Sequence, residues 1–294
     1  MDSQIFWLAS YPKSGNTLLR SILIALFFTD NGVFKLSKSY QIEQFERTKH
    51  LERNKKILNN DFDKLKNIPI IYKYLDQLQT KDSLGLEQDF VFFKTHSGLF
   101  NIGGNSFTKK SNSRGIIYVV RDPRDICISW SKHSGITIDQ SIEYMTNNLA
   151  NLYWQEPKSS PNIFKDNNRP RSLLSSWEKH VLSWTNTKWD LPILILRFED
   201  IVYNKIDVVN KIIKFFENNY DLKFDNKAEK IDNIIKTTEF NKLKTQEEEQ
   251  GFLEATKNSR FFSVGKKNQW RDKLSKEQVI LLENKFSKVM RLFD

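Results

Sequence analysis

The sequence predicts an α/β fold: one domain over residues 1–294, built on a parallel β-sheet with helices on both faces and a P-loop-like anion-binding turn after the first strand. Three observations lead there. Four short apolar runs, Ile5–Ala9, Phe90–Phe93, Ile116–Val120 and Ile193–Leu196, are continuous rather than alternating, as strands covered on both faces require. Helix-like runs alternate with them to the C-terminus, the order of elements that builds a parallel sheet. No Pro/Gly/Ser-rich linker or repeat divides the 294 residues, and a chain of that length buries about 75% of its unfolded surface.

The first strand, Ile5–Ala9, leads into Tyr11-Pro-Lys-Ser-Gly-Asn-Thr17 and then into an apolar helix over 17–28. A strand, a tight turn with Gly15 and a helix N-terminus make an anion cradle of exposed N–H groups, a favourable dipole and a lysine. A Walker A loop needs Gly-x-x-x-x-Gly-Lys-[Ser/Thr], whereas here Lys13 precedes Gly15 and Asn16 fills the lysine slot, so this phosphate loop is of another kind. Segments 30–89 and 135–171 are polar and weakly periodic, and predict loops and small helices over the sheet's top edge.

The second run, Phe90–Phe93, ends in Lys94-Thr-His96. Ile116–Val120 ends in Arg121, followed by a helix over 124–133 with Pro123 near its first position; Ser129, eight residues past Arg121, shares its side of that helix. A helix over 173–188 precedes Ile193–Leu196, which runs into Phe198. Helices over 205–218, 227–236 and 276–291 complete the chain, the last announced by a capping box at Ser275–Gln278. Ligands of such sheets bind beyond the carboxyl ends of the strands, where these turns lie.

Lys and Arg number 46 against 36 Asp and Glu, a net charge of +10 that suits polyanionic ligands such as a nucleotide, an acidic substrate or nucleic acid. The lysines are dispersed, as at Lys205, Lys211, Lys214 and Lys223, which predicts a solvated surface and no nucleic-acid partner. Cys127 stands alone, excluding a disulfide framework and predicting a buried thiol, and four scattered histidines give no zinc spacing. His50 and His180 are expected in surface helices, and Trp130 and Trp184 in the core. Tyr144, Tyr153 and Trp154 either stack on an acceptor ring or pack a helix. The apolar runs are short, Arg20 interrupts the longest, and no basic segment leads the chain, so neither a signal peptide nor a membrane span is expected and the cytoplasm is the expected location.

Five segments in order resemble those of the sulfotransferases that use 3′-phosphoadenosine 5′-phosphosulfate (PAPS) and release 3′,5′-adenosine diphosphate (PAP). They are Tyr11–Thr17, Phe92-Phe-Lys-Thr-His96, Tyr118–Trp130, Leu196-Arg-Phe-Glu-Asp200 and Phe261–Trp270. The resemblance implies transfer of a sulfuryl group to a hydroxyl of a small-molecule or carbohydrate acceptor, without a metal. It places Lys13 at the leaving phosphate, Ser14, Gly15, Asn16, Thr17 and Leu18 around the 5′-phosphate, and Arg121 with Ser129 at the 3′-phosphate. His96 takes the family's general-base position, with Lys94 orienting acceptor or sulfuryl oxygens. Phe198 fits an adenine-stacking position often held by Tyr, or is an ordinary core residue.

The C-terminal clamp departs from the pattern. Cytosolic members carry Arg-Lys-Gly there, where this chain has Ser263, Val264 and Gly265, so Lys266, Lys267 or Arg260 would replace the missing charges. The family's dimer motif is not recognisable in Arg271–Ile280, and the oligomeric state is unassigned. Two other readings stay open. A kinase or NTPase with a non-standard loop needs Mg²⁺ carboxylates, for which Asp122 is the one strand-end candidate. A non-catalytic nucleotide-binding protein has no use for a Lys13/His96 pair.

Overall fold

The computed structural model describes residues 4–154, 169–252, 254–255, 260–262 and 265–293. Its strands are β1 (Ile5–Ser10), β2 (Glu43–Gln44), β3 (Val91–Thr95), β4 (Asn101–Ile102), β5 (Asn105–Ser106), β6 (Ser113–Val120), β7 (Asn151–Tyr153), β8 (Arg171–Leu173) and β9 (Ile193–Arg197). Five form a sheet in the order β2-β3-β1-β6-β9, while β4–β5 and β7–β8 are two-stranded ribbons. β1 and β3 run parallel, in register from Ile5↔Val91 to Ala9↔Thr95. The fold is α/β, a parallel sheet flanked by helices.

The described residues divide into two compact units, Met1–Tyr11, Gln44–Tyr118 and Thr146–Ile193 in the first, and Pro12–Glu43, Val119–Met145 and Leu194–Asp294 in the second. In the first, neighbouring residues of β1 point to opposite faces of the sheet. Phe6 stacks on Phe92 at 5.3 Å between ring centroids. On the other face Trp7 meets Phe45 at 5.4 Å, Phe107 at 5.2 Å and Trp184 at 6.4 Å. Its indole N–H donates to Ser113 Oγ at 3.0 Å, satisfying the one polar atom of a fully buried ring. Every residue of β1 is buried, which explains the absence of alternation in its sequence.

In the second unit the apolar helix Asn16–Phe27 packs against helix Lys227–Thr237 and the 3₁₀ turn Leu36–Gln41. Phe27 at its end meets Phe216 of helix Lys205–Tyr220, centroids 4.8 Å apart. Helix Lys276–Met290 carries both bonds of the expected capping box and lies against helix Pro123–Ser134.

Several expectations need correction. The helix placed at 173–188 is shorter, Trp177–Thr185, because Arg171–Leu173 pairs with β7 instead. His180 and His50 are buried, not on the surface. His180 faces the sheet, its Nδ1 accepting from Tyr118 Oη at 2.9 Å, and His50 Nδ1 bonds the Phe45 carbonyl at 2.8 Å. Trp154 is core, against Phe45 at 5.9 Å, and Tyr144 stacks on Trp130 at 5.4 Å. Trp130 and Trp184 are buried, as is Cys127, whose thiol burial pushes up to about 12. Among the described residues no helix is long and apolar enough to cross a membrane.

Candidate active site

The phosphate-type loop is built on backbone that few residues tolerate. Lys13 has φ of 65° and Gly15 of 99°. A Cβ on Gly15 would sit 2.4 Å from Phe198 Cδ2, so both the left-handed backbone and the ring's approach demand glycine. Helix Asn16–Phe27 then starts with no side-chain cap and no acidic residue in its first turn. Its dipole and first N–H groups face the loop, and the protein anion bonded to its first turn is Glu254, which takes the Thr17 hydroxyl at 2.9 Å. Ser14 Oγ is buried there with no hydrogen-bond partner among the described residues. An uncapped N-terminus, an orphaned hydroxyl and an adjacent lysine fit an anionic group.

Beside this loop, wholly within the second unit, lies a cavity of about 590 Å³ with its open mouth included. Of the residues singled out in the sequence, it gathers Lys13, Gly15, Thr17, Leu18, Arg121, Ser129, Phe198 and Gly265. It adds Phe240, Phe261, Phe262, Lys132 and Gln269. Lys13 Nζ rests 4.3 Å from the centroid of Phe261, and the Arg121 guanidinium 4.1 Å from that of Phe198. Arg121 Nη1 also donates to the Lys13 carbonyl at 2.8 Å, tying the arginine to the loop. Its Nε is buried without a partner among the described residues. Burial pulls the guanidinium below its ordinary value, while the Asp125, Glu199 and Asp122 carboxylates favour its charge. The result is a buried cation, with aromatic faces on several sides of the cavity.

Two carboxylates hold the C-terminal wall. Glu247 accepts from Phe261 N at 2.6 Å and Phe262 N at 2.8 Å. Asp125 accepts from Asn268 N at 2.8 Å and Trp270 N at 3.1 Å. Between them Gly265 has φ of 61°, and a Cβ there would meet the Phe240 ring at 2.4 Å. Ser263 and Val264 lie outside the described residues. Lys266 and Lys267 are exposed and do not line the cavity; Lys267 sits over Tyr203 at 4.6 Å, and Arg260 pairs with Glu248. The Thr17 hydroxyl, expected at a phosphate, donates to Glu254 at 2.9 Å, and Arg20 pairs with the same carboxylate. Asp122 caps helix Pro123–Ser134 through Arg124 N at 2.8 Å and pairs with the Arg124 guanidinium at 2.7 Å, so its carboxylate is already engaged.

His96 belongs to the first unit, half-buried directly after β3, with Lys94 buried on that strand. His96 Nδ1 lies 2.8 Å from the Ser10 carbonyl oxygen. A carbonyl only accepts, so in the neutral ring Nδ1 carries the proton and Nε2 is the basic nitrogen. His180 Nε2 donates to the His96 carbonyl at 3.0 Å while its Nδ1 accepts from Tyr118. Burial pulls His180 down to about 4, so it is neutral and structural.

Phe240 and Lys132 had no signal in the sequence: helix Phe240–Gln250 has a single buried apolar residue, Leu243, and shows no periodicity. Lys132 lies one turn past Ser129 on the same helix, a spacing that singles it out only once Ser129 is known to face a cavity.

A sulfotransferase-domain family model matches residues 3–294. Sulfotransferase 1A1 of Rattus norvegicus is 24% identical over 237 residues, 81% of this chain and 66% of the relative. Flavonol 3-sulfotransferase of Flaveria bidentis is 22% identical over 281 residues, 93% of this chain and 77% of the relative. A luciferin sulfotransferase of Photinus pyralis is 23% identical over 153 residues, 52% of this chain and 35% of the relative. The matches thus span from about a third to two thirds of the length of several curated relatives. In overall fold the chain is similar to mouse sulfotransferase SULT7A1 complexed with PAP, at a TM-score of 0.59 and 17% identity over 99% of this chain and 84% of that one. Retinol dehydratase complexed with retinol and PAP gives 0.55 and 19% over 98% and 81%. A family match that runs through the phosphate-type loop, His96 and the C-terminal wall alike places this chain in the sulfotransferase family.

Proposed function

We propose that this chain is a PAPS-dependent sulfotransferase acting on a hydroxyl of a small-molecule or carbohydrate acceptor. The supporting observation is a single cavity that joins Lys13, at an uncapped helix N-terminus, to the buried Arg121 across aromatic faces. That arrangement suits a nucleotide with phosphates at two positions. Relatives named for luciferin and flavonol support a small-molecule hydroxyl as the acceptor class.

PAPS supplies a sulfuryl group already bonded to a good leaving phosphate. With PAPS bound, the Lys13 ammonium would stabilise the negative charge that grows on the leaving phosphate oxygen as the S–O bond breaks, without a metal. The loop residues Ser14, Gly15, Asn16, Thr17 and Leu18 hold the 5′-phosphate, Thr17 leaving Glu254 to do so. Arg121 and Ser129 read the 3′-phosphate, and Phe198, Phe240 and Phe261 stack on the base. His96 Nε2 takes the acceptor proton as the acceptor oxygen bonds to sulfur, and Lys94 orients the oxygens. The products are the sulfate ester and PAP. The same proposal makes residues 1–294 one domain working in the cytoplasm, with no nucleic-acid partner.

Radiolabelled PAPS incubated with the protein and an extract of metabolites and glycans tests this. Labelled sulfate esters should form with wild type and fall about 10²–10³-fold with Lys13→Ala. Equal labelling by the two proteins would remove Lys13 from the reaction.

A further inference from the structure

The turn that carries His96 is gripped from two sides, all within the first unit. On one side the Trp184 indole donates to the Ser97 carbonyl at 2.9 Å, beside the His180 bond to the His96 carbonyl. On the other side stands Glu46, 1% exposed, from the segment after β2. Its Oε1 accepts from the Thr95 hydroxyl, from Ser97 Oγ at 2.6 Å and from Ser97 N at 3.2 Å. One carboxylate oxygen therefore takes bonds from both residues that flank the histidine. A carboxylate is the one side chain that accepts this often without offering a proton of its own. Its other oxygen, Oε2, is buried with no hydrogen-bond partner among the described residues, so the donors on Oε1 offset the cost of taking the group out of water.

We propose that Glu46 is the positioning residue of His96: by fixing Thr95 and Ser97 it holds the imidazole against the Ser10 carbonyl and so decides which ring nitrogen is basic. The proposal rests on His96 being the base. A neutral imidazole in water prefers its proton on Nε2; the Ser10 carbonyl reverses that preference only while the ring stays within hydrogen-bond reach. A turn released by an ångström loses the bond, returns the proton to Nε2 and removes the lone pair aimed at the acceptor. Misplacement on that scale costs about 10²-fold in rate.

The test uses the full-length chain with ¹⁵N-labelled histidine, the His96 signals being assigned by their loss in His96→Ala. Long-range proton–nitrogen spectra report the tautomer, and calorimetry with PAP reports nucleotide binding on the same samples. Wild type should show the Nδ1–H form. Glu46→Ala should shift His96 toward Nε2–H, Glu46→Gln should restore most of the Nδ1–H form, and PAP affinity should stay within about twofold for both. A folded Glu46→Ala protein with the wild-type His96 spectrum overturns the proposal, as does a loss of PAP affinity that tracks the spectral change. If Glu46→Ala does not fold, the Thr95→Val/Ser97→Ala double variant, which removes the donors and keeps the carboxylate, is judged by the same criteria. Full turnover by His96→Ala would instead defeat the base assignment while leaving the tautomer result standing.

Discussion

Buried carboxylates fix a turn in each unit, and they do it differently. In the first, Glu46 accepts from hydroxyls and one N–H of residues 95 and 97, all of them core positions. In the second, Glu247 and Asp125 each accept two backbone N–H groups from the segment 261–270, which Asp125 reaches across 143 and 145 residues of sequence. Among the described residues of that segment all but Phe262 are part-exposed or exposed, Lys266 and Lys267 being exposed. The His96 turn is thus held inside the core, while the cavity's C-terminal wall is held by backbone bonds to a part-exposed segment. Chemistry at His96 should therefore be separable from nucleotide binding, and variants of the two regions should part along that line.

The largest effect is expected at the histidine. His96→Ala should lower turnover by about 10²–10⁴ with PAP affinity nearly unchanged, measured by steady-state kinetics and calorimetry. Affinity and turnover falling together would erase the separation. Lys13→Ala, across the contrast, should cost about 10²–10³ in the chemical step under single turnover. Arg121→Ala belongs purely to binding: PAP should bind more weakly by about 1.5–3 kcal/mol, the worth of a charge-assisted bond. Adenosine 5′-phosphosulfate, which lacks the 3′-phosphate, should hardly respond. Equal losses for both ligands would show that Arg121 only braces the Lys13 carbonyl.

The smallest effect concerns Glu46 and pH. Burial raises its carboxyl above the ordinary value of 4.5, so the folded state holds that proton more tightly than the unfolded chain. The stability this provides is complete below the ordinary value and is lost as pH climbs through the raised one. Urea unfolding should show wild type losing ground to Glu46→Gln as pH rises through that window. A pH-independent difference would mean that the hydrogen bonds from Thr95 and Ser97 cancel the burial.

The strands were legible because burial on both faces writes continuous apolar runs, and Ile5–Ala9 became Ile5–Ser10 with little change. Amphipathic helices such as Lys205–Tyr220 were legible for the matching reason. Helix Phe240–Gln250 was not, since three consecutive glutamates and one buried leucine leave no periodic face. Strand Arg171–Leu173 was missed, with Arg171 read as loop and Leu173 as a helix start, because a three-residue strand carries too little pattern to oppose its flanks. Of the site, Lys13, Gly15 and Arg121 were visible through loop chemistry and motif order. Glu46 was invisible: its role comes from three donors about 50 residues away, and nothing near it in sequence marks it.

Thermal stabilisation by nucleotides tests the central claim most directly. PAP without magnesium should raise the unfolding temperature of the wild type, and Arg121→Ala should lose most of that gain. Stabilisation by ATP with magnesium and none by PAP would contradict a PAPS-dependent site.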